Sequence, residues 1–164
     1  MRKSGLIWLW VSLLVVLLDQ LTKELAQFYL LPYNENPIFP GFNLTLSFNK
    51  GSAFGFLHQA PGWQGWLFGI IAISVSLAII IWLTRLSKKQ WGLCIALSLI
   101  VGGALGNLLD RILYGQVTDF LQLYIGRLYW PTFNVADSAI CVGAFILFLQ
   151  SIRDKEGKKN YLQK

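Results

Sequence analysis

Four long apolar stretches constrain this chain more than any other feature. Residues 66–84, 91–109 and 132–150 each approach the roughly 20 apolar residues that a helix needs to cross a hydrocarbon core. Backbone in lipid must satisfy its own hydrogen bonds, so each run is predicted to be helical. The first stretch is less regular. Leu6 to Leu18, behind Arg2 and Lys3, has the length of a signal-peptide core, yet no small-residue cleavage site follows it. After Asp19 and Lys23 the apolar pattern resumes through Leu25, Phe28 and Leu30, and one helix over about residues 6–30 is expected. With 55% hydrophobic and 13% charged residues among 164, the chain is too apolar for a soluble domain. The expected fold class is mostly α, a polytopic membrane protein in one membrane-embedded domain over 1–164. It has four transmembrane helices, a small extracytoplasmic β element and an outer-face loop.

Ten of the 14 Lys and Arg residues lie before the first stretch, in the 85–90 turn, or after the fourth. By the positive-inside rule both ends of this chain and that turn are cytoplasmic, and loops 32–65 and 110–131 face outward. The net charge of +6 is therefore spread over membrane flanks, and nucleic-acid binding is not expected. Trp63, Trp66, Tyr129 and Trp130 suit an outer aromatic belt. Within the first outer loop, residues 42–49 (FNLTLSFN) alternate apolar and polar, the period of a half-buried strand. The second outer loop is partly apolar and is expected to pack on the bilayer surface. Cys94 and Cys141 fall at different depths, so no disulfide is implied.

Ionisable groups inside a membrane are expensive and mark functional candidates. Asp19 lies 13 residues after Leu6, about 20 Å along a helix and so in the outer half of the core. Lys23 is one turn beyond it. Asn107, Asp110 and Arg111 mark the outer end of the third stretch, Asn134 and Asp137 the outer start of the fourth, and Asp119 lies between. The acids thus gather at one interface. Plainer readings stand beside each. Asp19 and Lys23, at i and i+4, form a structural ion pair as readily as a substrate site. The group at Asn107 suits a helix end tied down by polar bonds. Asn134 and Asp137 have N-cap and N3 spacing after Pro131 and serve equally as a cap. Asp119 could be an ordinary exposed loop acid.

Other hydrolytic chemistries lack their side chains. His58 is the single histidine, so no multi-histidine zinc site exists. Both thiols sit in apolar runs that disfavour a thiolate, and Ser52 near Lys50 is a weak serine–lysine candidate. Paired carboxylates remain: two close ones cannot both ionise cheaply, so one keeps a proton while the other acts as a base. A small transporter or channel would spread polar residues through the membrane depth, whereas residues 67–83 offer nothing stronger than Ser74 and Ser76. The Gly-x-Gly-Asp motif of presenilin-type peptidases is absent. A non-catalytic scaffold would leave the gathered acids unexplained.

Five blocks, in order, resemble the lipoprotein signal peptidase (signal peptidase II, prolipoprotein signal peptidase) family. They are Asp19-Gln20-Leu21-Thr22-Lys23, the 49–55 segment NKGSAFG, the 106–111 segment GNLLDR, Val117-Thr118-Asp119-Phe120, and Phe133-Asn134-Val135-Ala136-Asp137-Ser138. The resemblance implies an aspartic endopeptidase that removes the signal peptide from diacylglyceryl-modified bacterial prolipoproteins, on the amino side of the lipid-bearing cysteine. It implies Asp119 and Asp137 as the catalytic pair. Asp19, Lys23, Asn49, Gly51, Phe54, Asn107, Asp110, Arg111, Asn134 and Ala136 would bind substrate or support the site. It also implies no metal or organic cofactor, sensitivity to globomycin, and a location in the cytoplasmic (inner) membrane with the site facing the periplasm or exterior. The expected partners are the prolipoprotein and membrane lipid, with the enzyme itself monomeric. Gly102, Gly103, Ala104 and Gly106 allow close approach of either a helix or the substrate.

Overall fold

The computed structural model describes residues 4–51 and 63–162, with side chains to residue 153 except that of residue 64. Ser52, Phe54 and His58 lie outside the described residues. One 3-10 turn, Gly5–Trp8, leads into α1 (Leu9–Tyr29); its start is capped by the Ser4 hydroxyl, which accepts from the Leu6 N–H at 3.2 Å. Then come β1 (Glu35–Phe39), β2 (Phe42–Asn49), α2 (Trp63–Arg85), α3 (Trp91–Tyr114), β3 (Val117–Ile125), β4 (Leu128–Tyr129) and α4 (Val135–Leu162). All four helices are long and apolar enough to span a membrane. Leu13, Leu17, Ile70, Phe145 and Phe148 are exposed, as side chains facing lipid tails should be.

Helix α3 is the interior one: 56% of its most apolar window is buried, against 17 to 28% for the other three. It packs on α1, α2 and α4. Its small residues decide how close those neighbours come. A Cβ on Gly102 would lie 2.8 Å from Val15 Cβ of α1, and one on Gly103 would overlap the Ala136 carbonyl of α4. The small-residue run therefore serves helix packing.

The strand expected at 42–49 is β2, the middle of a four-stranded antiparallel sheet of order β1-β2-β3-β4. Pro37 sits on the edge strand β1, where a missing N–H costs nothing. Leu46 of β2 and Phe120 of β3 cluster with Ala26 near the outer end of α1.

Three boundaries depart from the sequence reading. Helix α3 runs to Tyr114 and stops at Gly115, whose φ of +69° suits a residue without a side chain. Asn107 and Asp110 thus lie within the helix, and Arg111 stands in its last turn. The second outer loop is folded into the β3–β4 ribbon, so Asp119 is a strand residue. Helix α4 starts at Val135, not near residue 132, because Phe133 pairs with Leu121 through two backbone bonds of 2.9 Å and is held extended. It also continues past residue 150, where the fourth apolar stretch ends, to Leu162.

Candidate active site

The buried charges form two linked nests. In the first, Lys23 Nζ lies 2.8 Å from Asp19 Oδ2 and 3.1 Å from Asp110 Oδ2. All three side chains are at most 2% exposed. Burial of charge is tolerable only when the remaining valences are met, and here they are. Asp19 Oδ1 accepts from the Ala136 N–H at 2.9 Å; Asp110 accepts from the Thr118 N–H at 2.9 Å and from Gln20 Nε2 at 2.9 Å. The cluster ties α1 to α3, to β3 and to the first turn of α4. The ion-pair reading of Asp19 and Lys23 is thus realised, with Asp110 as a third member.

Asn107 joins this nest to the second. A lysine ammonium can only donate, so the Asn107 Oδ1 must face Lys23 Nζ, 3.0 Å away. The amide nitrogen is then turned outward and donates to Asp137 Oδ1 at 2.7 Å. Asn134 works in parallel. Its Nδ2 donates to Asp119 Oδ1 at 2.7 Å and to Asn107 Oδ1 at 3.0 Å. Its Oδ1 accepts the Asp137 N–H at 2.9 Å, while Asp137 Oδ2 accepts the Asn134 N–H at 3.3 Å. That reciprocal pair is a capping box. The cap expected from spacing therefore exists, and the same Asp137 carboxylate also meets Asn107 across the bundle.

Asp119 arrives from the sheet. It stands opposite Ser47 in the β2–β3 register, is 2% exposed, and accepts from Asn49 Nδ2 at 3.3 Å. Burial, and then the neighbouring Asp137 charge, push its carboxyl up to about 7, against the smaller opposing pull of the Asn49 and Asn134 hydrogen bonds and of Lys23. Arg111 closes the far side. It donates to the Gly51 carbonyl at 3.3 Å and the Asn107 carbonyl at 3.1 Å, with its guanidinium 5.5 Å from the centre of the Phe68 ring. The Gly51 N–H in turn donates to Asn49 Oδ1 at 3.0 Å, so Arg111 and Asn49 hold the same turn.

Asp119, Asp137, Asn49, Asn107 and Arg111 border one cavity of about 540 Å3. Its opposite wall is apolar, built from Leu123, Phe133, Ile140 and Val142. Asp19, Lys23, Asp110 and Ala136 are not in that wall; they lie behind it and fix the side chains that are. Phe54 lies outside the described residues. Gln20 and Thr118 belong to the supporting network though neither was singled out. Gln20 carried the same signal as Asp19, a polar group inside an apolar span, whereas nothing in the pattern pointed to Phe68. Among the described residues no group of three His, Cys, Asp or Glu side chains is placed to hold a metal ion.

Two solved structures, both titled as bacterial membrane enzymes, share this fold. One superposes with a TM-score of 0.85 at 30% identity, covering 96% of each chain; the other has a TM-score of 0.80 at 30% identity, covering 94% of this chain and 99% of its own. The architecture is that of a polytopic membrane enzyme. The family described as signal peptidase (SPase) II matches residues 11–153. A lipoprotein signal peptidase of Pseudomonas aeruginosa strain UCBPP-PA14 is 49% identical over 157 residues, covering 94% of this chain and 93% of its own. One of Teredinibacter turnerae is 46% identical over 149 residues, covering 91% and 89%. The chain belongs to the signal peptidase II family, and it is a peptidase.

Proposed function

We propose that this peptidase removes the signal peptide from diacylglyceryl-modified prolipoproteins, cleaving on the amino side of the lipid-bearing cysteine, with Asp119 and Asp137 as its catalytic pair. The observation that carries the assignment is that a buried carboxylate, Asp119, and a half-buried one, Asp137, bridged by Asn134, border one cavity whose other wall is apolar. Such a substrate reaches the site through lipid on an apolar helix and two acyl chains, yet its cleavage consumes water. The site therefore belongs at the outer membrane interface, where a wet polar wall can face a lipid-like one.

With a carboxyl group near 7, Asp119 retains a proton for much of the time at neutral pH. Asp137, on the first turn of α4, accepts a hydrogen bond from Asn107 Nδ2 at 2.7 Å and is assigned the role of base. Asp137 then takes a proton from water as the water oxygen attacks the scissile carbonyl carbon, and Asp119 gives its proton to the carbonyl oxygen. In the collapse of the resulting diol, Asp137 returns its proton to the leaving amine and Asp119 regains one from a diol hydroxyl. The pair titrates as a unit. Asn49, Gly51, Asn107, Arg111 and Asn134 position the carboxylates and the turn beside them; Asp19, Lys23, Asp110 and Ala136 brace that set, and Phe54 contacts substrate. The whole chain acts as one membrane-embedded unit. It is monomeric, uses no cofactor and is blocked by globomycin. Both ends and the 85–90 turn face the cytoplasm, and the site faces the periplasm or exterior.

The test is cleavage of a diacylglyceryl-modified prolipoprotein by the purified chain in detergent with a chelator present, beside Asp119→Asn and Asp137→Asn variants. Activity in the parent and none in either folded variant is expected. Full activity in either variant would end the assignment and leave Asp137 as a helix cap alone.

A further inference from the structure

A second groove opens beside the proposed active site, and its chemistry is different. It encloses about 440 Å3 and is lined by Tyr33, Glu35, Thr45, Ser47, Gln122 and the 129–132 segment. Among the described residues, none of its lining belongs to a membrane-spanning helix. Residues 130–132 are common to both cavities, forming a shared wall. Ser47 in the groove stands opposite Asp119 in the strand register, so the groove runs along the sheet directly from the carboxylate pair.

We propose that this groove binds the residues that follow the lipid-bearing cysteine, and that Glu35 makes it discriminate by charge, favouring basic over acidic side chains there. The inference rests on the prolipoprotein peptidase reading. The two halves of such a substrate differ in kind. The amino half is an apolar membrane helix with lipid at its end, and it suits the cavity walled by Ile140 and Val142 of α4. The carboxyl half is a water-soluble chain, and it needs a polar path that leads away from the membrane helices. The second groove is such a path. Gln122 Oε1 is occupied by Asn43 Nδ2 and Thr45 Oγ1, both at 3.1 Å, which fixes the amide and leaves its N–H groups as donors for a peptide carbonyl. Among the described residues, Glu35 is the single charged side chain in the lining, and it makes no ion pair there. A charge at the rim of a binding groove acts mainly on selection of partners.

The experiment uses one lipidated prolipoprotein with Lys, Gln or Asp placed at the second to fourth positions of the mature chain. It measures kcat/KM with the parent, Glu35→Gln and Glu35→Lys. Glu35 is exposed on an edge strand, and neither change disturbs a packed contact. The parent is expected to prefer Lys over Asp by about three- to ten-fold at low salt, a preference that shrinks as added salt screens it. In Glu35→Gln the ratio should fall toward one, and in Glu35→Lys it should invert. A ratio that stays the same in all three proteins overturns the groove assignment while leaving the peptidase reading intact. Failure of the parent to cleave any member of the series overturns both.

Discussion

Replacing Asp119 by Asn should flatten the pH dependence of this protein's stability, and the expected size follows from the site. The Asp119 carboxyl has an ordinary value of 3.8 and stands at about 7 in the fold, raised by burial and by Asp137. Between those values the folded chain binds more protons than the unfolded one. The stabilising contribution is therefore complete below the unfolded value and is lost as pH rises through the folded one. At about 1.4 kcal/mol per unit, the parent should lose roughly 2–3 kcal/mol between about pH 5 and about pH 8 through this group. For a chain of this length that is on the order of 5–10 °C in Tm. An asparagine cannot titrate. It also puts an amide nitrogen against one of two donors, Asn49 Nδ2 or Asn134 Nδ2, an offset of about 1–3 kcal/mol that does not vary with pH. The informative quantity is therefore the slope. Thermal unfolding in detergent, followed by the fluorescence of the seven tryptophans, should give a Tm that falls more steeply with pH in the parent than in Asp119→Asn. Parallel profiles would refute the claim that Asp119 is held protonated by its surroundings.

Lys23→Met should destabilise the fold by about 3–5 kcal/mol, because it strands Asp19 and Asp110 as buried carboxylates without their cation. Asp110→Asn should cost less, since it leaves the Asp19–Lys23 pair intact, and the reverse order in detergent unfolding would contradict the cluster described above. Gly106→Ala would set a methyl 2.7 Å from Asp19 Oδ2 and 3.3 Å from Ala136 Cβ; a loss of about 1–3 kcal/mol is expected, and an unchanged Tm would mean that α1 and α4 can move apart freely at this level.

Much of the architecture was legible in the residue order because it is periodic. A helix in lipid must be long and apolar, so four runs announced four helices, and strict alternation over residues 42–49 announced β2. The N-cap and N3 spacing of Asn134 and Asp137 announced the capping box that forms there. Strand β3 was missed because its burial changes along its length: Val117 to Phe120 are all buried, whereas Leu121 to Ile125 are half-buried or exposed. No two-residue period survives that. The end of α3 was placed too early for a related reason, since polar residues within a membrane helix look like a boundary until their partners are known. Those partners belong to other elements. That Asn107 presents its oxygen to Lys23 and its nitrogen to Asp137, that Asn134 joins Asp119 to Asp137, and that Arg111 lies against Phe68 are facts of three-dimensional proximity. Local pattern settled which faces of β2 and which long runs leave water, because burial of a helix or strand face is there a repeating property of the chain. Tertiary structure alone decided which polar group meets which, because a buried hydrogen bond is chosen by distances between segments that the chain order does not contain.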